Sequence, residues 1–245
     1  MKTSNKFLLT AILLLVISVG IYDFQLKAEY LKGDYKNPYK GFVNLNFRDF
    51  KVIELGSSTA INIMLVKGPF KVLADPDAME FMKIEQHHDS LFIRAAFKDN
   101  FHNVRSVHML YISCPELKAF WADAKHITAG NQIIDTIGSE DFRWRPTTIS
   151  GFSGDKLNIN LDHAATILLK NNRFNILNAT TGISNGSASN LSIETGNQFG
   201  KTNLDIRNKS RLWIKDDSLS SITYKLSNSA KLILNGNTRM IHNNK

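Results

Sequence analysis

The sequence contains little cysteine and little proline. Its 245 residues include one cysteine, Cys114, and five prolines, the last of which is Pro146. A single thiol excludes an internal disulfide framework and any zinc site built from cysteines. The carboxyl-terminal half is instead rich in asparagine, with sixteen in residues 158–245.

Charged residues are also few, at 21% of the chain, slightly below the roughly 25% of an ordinary globular protein. The formal net charge is +8, and residues 201–245 carry most of it, with nine basic and three acidic side chains. The apolar content of 43% is enough for a packed core and excludes wholesale disorder. The basic segment predicts an anionic partner, such as an acidic glycan, a lipid headgroup or a cell-wall polymer. An envelope protein is a further candidate partner.

The amino terminus has the pattern of an export signal. Lys2 and Lys6 precede residues 7–22, which contain no charge and eleven Leu, Ile, Val or Phe residues. This pattern predicts a signal-anchor helix, with the lysines in the cytoplasm and the rest of the chain outside it, in the periplasm. The alternative is a secreted protein that is cleaved after Gly20, since Ser18 and Gly20 would occupy the −3 and −1 positions. Export makes nucleic acid an unexpected partner.

The domain organisation follows from this start. We expect a signal-anchor in residues 1–26, a tether in residues 27–46 and one β-domain in residues 47–245. In the β-domain, short runs of alternating apolar residues recur about every ten residues, separated by Gly, Pro and Asp turns. Two segments, residues 78–83 and 120–126, are expected to form short helical turns.

A module recurs in the carboxyl-terminal half. It reads small, polar, apolar, any, apolar, and the small residues lie 24, 21 and 20 positions apart. The four copies begin at Ala165, Ser189, Ser210 and Ala230. Further apolar pairs fall between them, at Phe174 and Ile176, at Leu204 and Ile206, and at Tyr224 and Leu226. A period near 20 predicts a β-solenoid.

The repeat also indicates how such a chain would be stabilised. Asparagine tolerates a left-handed backbone at sharp corners, and stacked Asn side chains can form ladders between coils. One coil of about 20 residues loses about 20 to 40 kcal/mol of backbone entropy. About six inward apolar side chains return only about 9 to 18 kcal/mol. Stacking of successive coils must therefore supply the rest.

Several segments resemble a known family. They are Phe50–Leu55, Ala60–Ile63 with Lys67–Gly68, Leu91–Ile93 and Tyr111–Leu117. In this order and spacing they are similar to the GIN-domain family, presumed adhesin head domains of autotransporters in exported proteins of Bacteroidetes-type bacteria. The resemblance implies a right-handed parallel β-helix-like solenoid, no established catalytic residues and a role in adhesion. We expect no cofactor.

Catalytic patterns in the sequence are weak. Residues 182–186 spell the G-x-S-x-G nucleophile elbow around Ser184, but the following residues indicate a repeat strand where the elbow needs a helix. Asp162, Asp216 and Asp217 are the carboxylates that a glycan hydrolase or lyase on a β-helix could use. Asp162 and Asp216 occupy different phases of the repeat, so we do not expect them to stack. Neither the His87–Asp89 segment nor the Asp75–Asp77 segment has the spacing of a metal site.

Two basic and aromatic segments are the candidate binding residues. One is Arg143, Trp144 and Arg145, and the other is Arg211, Trp213 and Lys215. Aromatic faces stack on sugar rings, and arginine can pair with acidic groups of a glycan. The sequence therefore favours a non-catalytic binding, adhesion or scaffold module of the cell envelope. The alternative is a carbohydrate-active enzyme.

Overall fold

The computed structural model describes residues 3–99, 107–137, 146–215, 221–235 and 241–243. This part of the chain is mostly β, with one long helix, α1 (Thr3–Lys32), and two short 3-10 helices, Asp34–Lys36 and Asp77–Glu80. The strands are β1 (Val43–Leu45), β2 (Val52–Leu55), β3 (Ile63–Lys67), β4 (Lys71–Ala74), β5 (Met82–His87), β6 (Ser90–Phe97), β7 (Leu110–Cys114), β8 (Ala119–Ala122), β9 (Lys125–Thr128), β10 (Asn131–Ile134), β11 (Thr147–Ser150), β12 (Ser153–Leu161), β13 (Thr166–Lys170), β14 (Arg173–Thr181), β15 (Asn190–Ile193), β16 (Gln198–Ile206), β17 (Arg211–Ile214), β18 (Ile222–Leu226), β19 (Lys231–Leu234) and β20 (Ile241–Asn243).

The chain consists of two compact units, residues 1–40 and residues 41–245. The first contains α1, which is fourteen residues longer than the expected apolar stretch of residues 7–22. Thirty residues of helix extend about 45 Å, more than the hydrocarbon core of a bilayer requires. None of its residues is buried, and its length and composition suit a membrane anchor or a signal sequence.

Two mixed sheets form the second unit. The first has the strand order β1-β4-β7-β3-β11-β13-β15-β17-β19, and the second has the order β10-β9-β6-β2-β8-β12-β14-β16-β18-β20, with β5 paired to β6. From β11 onward, successive strands alternate between the two sheets, so every second strand is a neighbour. Buried side chains from both sheets belong to one hydrophobic cluster.

The predicted repeat is confirmed by strand pairing. The four modules form β13, β15, β17 and β19, which are parallel neighbours in one register. Thr166 pairs with Asn190, Asn190 with Arg211, and Arg211 with Lys231. The apolar positions of the first three modules, such as Ile167 and Leu191, are fully buried, whereas Leu232 and Leu234 of the fourth are partly buried. Alternation in sequence therefore places one side of each strand in the core.

The apolar pair Phe174 and Ile176, expected to lie in register with the later pairs of the repeat, does not do so. Leu204 pairs with Tyr224 and Ile206 with Leu226, as the sequence predicts. On β14, however, the residues in this register are Ala179 and Thr181, five positions after Phe174 and Ile176. Both Ala179 and Thr181 are buried despite their weak apolar character. The sequence pattern followed the larger side chains, whereas the register follows the backbone ladder.

A uniform parallel β-helix is not what the whole domain forms. Antiparallel pairs join β1 to β4, β4 to β7, β5 to β6 and β9 to β10, so both sheets are mixed and the fold is not a closed solenoid. Short turns connect β5 to β6 and β9 to β10 directly and reverse the chain, which makes these two pairs antiparallel. The β1–β4 and β4–β7 pairs instead join segments that are distant in sequence.

The amino-terminal part of the domain tests the expected tether and the two expected helical turns. Val43–Leu45, at the end of the segment expected to be a tether, pairs with β4 as an edge strand. Residues 77–80 form a 3-10 helix, close to the expected helical turn at 78–83. The other expected turn, at 120–126, is wrong, since its residues belong to β8 and β9.

Candidate functional site

A row of side chains crosses the outer face of the second sheet. Phe92 on β6, Glu54 on β2, Trp121 on β8 and Asn160 on β12 occupy one register position on four neighbouring strands. Their sequence neighbours, including Leu91, Ile53, Phe120 and Ile159, are fully buried. Because side chains alternate along a strand, the row faces away from the core.

Trp121 is the most exposed member of this row. Its side chain is 45% accessible, whereas that of the preceding Phe120 is completely buried. Adjacent residues of a strand point to opposite faces, so the Phe-Trp pair places one ring in the core and the other in solvent. Sequence reasoning missed Trp121 because residues 119–122, Ala-Phe-Trp-Ala, show no apolar alternation and residues 120–126 are expected to form a helical turn. Two adjacent aromatic residues next to a predicted strand are the signal that could have found it.

Walls on both sides turn this row into a groove of about 610 Å³. The β9–β10 hairpin contributes Ile127 and Gln132 to one wall, and the loop after β14 contributes Ile183 to the lining. The side chains of Ile127 and Ile183 are 44% and 47% exposed. The groove therefore combines one exposed indole with apolar walls and several polar groups.

Hydrogen bonds of buried Ser57 fix the hairpin to the sheet. The Ser57 hydroxyl donates to the Lys125 carbonyl oxygen at 2.5 Å and accepts from the Ala95 backbone amide at 2.9 Å. On the other side, Asp162 holds the loop of Ile183. Its Oδ1 accepts from the Ser184 backbone amide at 2.8 Å, and its Oδ2 accepts from the Ser184 hydroxyl at 2.5 Å. Both walls are thus tied to the sheet that forms the floor.

Charges of both signs line the groove. Desolvation raises the pKa of the Glu54 carboxyl above its ordinary value, although Arg94 acts in the opposite direction. The Arg94 guanidinium carbon lies 5.9 Å from the centre of the Phe92 ring. Lys125 forms an ion pair with Asp123 at 2.7 Å. The groove can therefore offer an aromatic face and both donors and acceptors to a polar ligand.

A compact cluster of Asp123, Asp162 and His163 lies at one side of the groove. His163 Nδ1 is 2.5 Å from Asp123 Oδ1 and 3.7 Å from Asp162 Oδ2. Burial acts to raise the pKa of the Asp162 carboxyl. Hydrogen bonds from the Ser184 hydroxyl and amide and from the His163 amide outweigh that effect, so the pKa is lowered from its ordinary value.

The donor set of this cluster would suit a metal ion, but its oxygens are already in use. Asp123 Oδ1 accepts from the Ala124 amide and faces His163, while its Oδ2 faces Lys125. Both oxygens of Asp162 accept hydrogen bonds, as described above. A cation would have to displace these donors, so we interpret the cluster as a hydrogen-bonded support for the groove.

Ser184, the serine of the G-x-S-x-G motif, belongs to the same support. Ser184 Oγ donates to Asp162, and the imidazole Nδ1 of His163 faces Asp123. A nucleophilic serine needs a base that accepts its proton, and the carboxylate of Asp162 instead holds Ser184 as a structural partner. Asp162 thus lies beside the groove, as a residue that positions its wall. Asp216 and Asp217 lie outside the described residues.

The predicted binding residues Arg211, Trp213 and Lys215 lie on β17 and directly after it, in the other sheet. The Lys215 ammonium lies 4.0 Å from the centre of the Trp213 ring and 2.7 Å from Glu194. Arg211 Nε donates to the buried Asn190 at 3.0 Å. The Lys215 side chain is only 17% exposed, so Trp213 is covered by an ion pair. Arg143, Trp144 and Arg145 lie outside the described residues.

Comparisons with known proteins support the fold. No model of a protein family matches the chain, and no curated protein does. The structure is similar to that of a presumed adhesin from Bacteroides fragilis, with 14% sequence identity, a TM-score of 0.51, and coverage of 83% of this chain and 96% of that one. A presumed adhesin from Parabacteroides merdae covers 84% and 96% at 10% identity and a TM-score of 0.40. A presumed lipid-binding protein from Parabacteroides distasonis covers 83% and 96% at 13% identity and a TM-score of 0.38. At such identities, the similarity to the Bacteroides fragilis protein shows a shared fold alone.

Proposed function

We propose that this protein is a non-catalytic binding module of the cell envelope, and that the groove around Trp121 binds a carbohydrate. The observation that carries the proposal is the exposed indole on the floor of a walled groove. Sugar rings present one apolar face, which stacks on an aromatic ring, and a rim of hydroxyls, which need donors and acceptors. Asn160, Gln132 and the Glu54 carboxyl supply those groups around Trp121.

The carboxylates of Asp123 and Asp162, near Trp121, are engaged in structural hydrogen bonds, which favours binding over catalysis. The Asp162 carboxylate is occupied by Ser184 and His163, and Asp123 is occupied by His163, Ala124 and Lys125. These bonds hold the walls in place before a ligand arrives, which lowers the entropic cost of binding. A preformed site of this kind suits recognition, adhesion or scaffolding at a surface.

Substitution of Trp121 tests the proposal. Binding of the full-length, detergent-solubilised chain to an array of neutral and acidic glycans should be lost or weakened about tenfold in Trp121→Ala, because stacking contributes about 1 kcal/mol or more. Trp121→Phe keeps a ring and should retain most of the affinity. Ile137→Ala, at a position that is 89% exposed and does not line the groove, should bind like the parent. Equal binding by Trp121→Ala and the parent would refute the site.

A carbohydrate-active enzyme is the second candidate, and one observation favours it. Glu54 and Asp162 line the same groove, and their pKa values are displaced in opposite directions, raised for Glu54 and lowered for Asp162. An acid and a base of a glycosidase are separated in this way. Release of reducing ends from a bound glycan, abolished by Glu54→Gln, would establish catalysis. Binding without release in both proteins supports the non-catalytic function.

The location is part of the same proposal. We infer that α1 remains as a single-pass anchor and holds the β-domain outside the cytoplasm, in the periplasm. Its thirty-residue length and its exposed apolar side chains support this. The mass of the mature amino terminus, measured together with protease accessibility in intact and permeabilised cells, distinguishes the anchor from a secreted product cleaved after Gly20. Protection in intact cells and digestion after permeabilisation of the outer membrane are expected.

The handedness and stacking of the carboxyl-terminal strands are also part of the proposal. We infer that residues 146–243 behave as a right-handed, β-helix-like stack of the kind that the GIN-domain resemblance implies. The in-register pairs of β13, β15 and β17 support this. Deletion of residues 190–210 removes one whole period and should preserve the pairing of the remaining strands, whereas deletion of residues 190–199 should disrupt it. Equal loss of β-structure by circular dichroism in both deletions would contradict a stack of repeating units.

A further inference from the structure

The row of outward side chains does not end at the groove. Beyond Asn160, the same register position is occupied by Thr180 on β14, Asp205 on β16 and Lys225 on β18. A second, shallower hollow of about 240 Å³ lies over these three strands. At a strand spacing of about 4.8 Å, Trp121 and Lys225 lie about 19 Å apart across the sheet.

An amide ladder runs beside this row. Asn158, Asn178 and Asn203 occupy the adjacent outward position on β12, β14 and β16. Asn178 Nδ2 donates to Asn158 Oδ1 at 3.0 Å, and Asn203 Nδ2 donates to Asn178 Oδ1 at 2.8 Å. The bonds fix the orientation of the amides, so a flat and ordered polar track continues from the groove.

Three exposed lysines flank the ladder. Lys156 and Lys201 lie in the next outward position on β12 and β16, about 10 Å apart with Ile176 between them. Lys225 lies on the opposite side of the ladder. Beyond the groove, the described acidic groups beside the ladder are Asp205, which forms an ion pair with Arg207, and Asp155, which accepts a hydrogen bond from Asn175. The track therefore carries an excess of positive charge.

From these relationships we infer that the outer face from Trp121 to Lys225 is one extended site for a linear acidic polysaccharide. This rests on the proposed carbohydrate-binding function and names its ligand class. One sugar ring stacks on Trp121 in the groove, and the following sugars cross the strands along the amide ladder. Their carboxylate or sulfate groups pair with Lys156, Lys201 and Lys225. The distance of about 19 Å requires an oligosaccharide of several sugars to fill the site.

Binding of graded oligosaccharides tests the inference. The probes are oligogalacturonates, sulfated heparin fragments and neutral cello- and chito-oligosaccharides, each from two to six sugars, titrated into the detergent-solubilised full-length chain. The longest acidic probe of at least one series should bind about tenfold more tightly than its disaccharide and than a neutral probe of equal length. Its affinity should fall with added salt. The uronate and sulfate series show which acidic group is preferred.

A matched pair of triple variants provides the control. Lys156→Gln, Lys201→Gln and Lys225→Gln together should weaken the longest acidic probe about tenfold and leave disaccharides unchanged. Lys71→Gln, Lys170→Gln and Lys231→Gln make the same change in net charge with exposed lysines of the other sheet, and should have no effect. Equal effects of the two triple variants would overturn the inference.

The remaining outcomes separate the inference from the proposed function. Trp121-dependent binding of glycans without a preference for length or acidity would refute the extended acidic site and leave the groove intact. Glycan binding that does not respond to Trp121→Ala would refute the proposed function itself. Lysine-dependent binding to anionic lipid vesicles, without binding to any oligosaccharide, would replace the polysaccharide with a membrane surface and overturn both.

Discussion

Asn172, between β13 and β14, and Asn197, between β15 and β16, bond directly to each other across two connections between the sheets. Asn197 Oδ1 accepts hydrogen bonds from the backbone amide of Asn172 at 3.0 Å and from its side-chain Nδ2 at 3.1 Å. Both residues are buried, with exposures of 1% and 0%. Asn172 in turn accepts from the backbone amide of Phe152 at 3.0 Å. The two linked side chains therefore satisfy backbone groups, at the connections between the sheets, that strand pairing leaves open.

Replacement of Asn197 should destabilise the domain strongly. Its side chain also donates to the carbonyl oxygens of Leu169 and Glu194, so Asn197→Ala would leave several buried polar groups without a partner. Each such group costs about 1 to 3 kcal/mol, and we expect a loss of about 3 kcal/mol or more in the free energy of unfolding. Asn203→Ala, in the half-buried outer ladder, should cost about 1 kcal/mol. Urea denaturation of both variants measures the difference, and similar losses would contradict the role of Asn197.

Gly182 should be intolerant of a side chain, whereas Gly186 in the same loop should accept one. Both have a left-handed backbone, with φ of 75° and 81°. A Cβ at position 182 would collide with the Ser210 hydroxyl and the Arg207 carbonyl, but a Cβ at position 186 would meet nothing within 4 Å. We expect Gly186→Ala to cost about 1 kcal/mol of backbone strain and Gly182→Ala at least about 2 kcal/mol more. Thermal unfolding of the two variants provides the comparison, and equal costs would be evidence against a tight corner.

The stability of the domain should fall in acid partly through Asp162. The pKa of this carboxyl is lowered from its ordinary value of 3.8 in the folded chain. The ionised carboxylate therefore stabilises the folded state at pH values above 3.8. This contribution to the free energy of unfolding is lost as the pH falls through the lower pKa of the folded state. Asp162→Asn should be less stable than the parent at about pH 7, with a difference that shrinks at about pH 3. Denaturation at several pH values measures this, and a difference that does not depend on pH would exclude the mechanism.

Cys114 should be unreactive until the domain unfolds. Its side chain is completely buried, and burial raises the pKa of the thiol from 9.0 to about 12. Since the thiolate is the reactive form, alkylation of the folded chain at about pH 8 should be slower by a factor of about a thousand or more than that of the denatured chain. Mass spectrometry after timed exposure to iodoacetamide measures both rates. Rapid modification of the folded protein would show that the core around β7 opens readily.

The sequence predicted the stacked strands well and the outer face of the second sheet poorly. The modules at Ala165, Ser189, Ser210 and Ala230 could be recognised because small and apolar residues recur there with a period that the backbone ladder preserves. Trp121 could not be assigned to the outer face, because its orientation depends on which strand lies beneath it and on the register with Glu54 and Asn160.

The sequence by itself determined the apolar amino-terminal helix, the β-character of the domain and the period near twenty residues, because composition and alternation are local properties of the chain. Tertiary structure alone decided which outward side chains meet. Phe92, Trp121 and Lys225 are separated by 29 and 104 residues in sequence, yet they share one row of the second sheet. Strand order and register bring them together, and these depend on pairing between distant segments that no local pattern encodes.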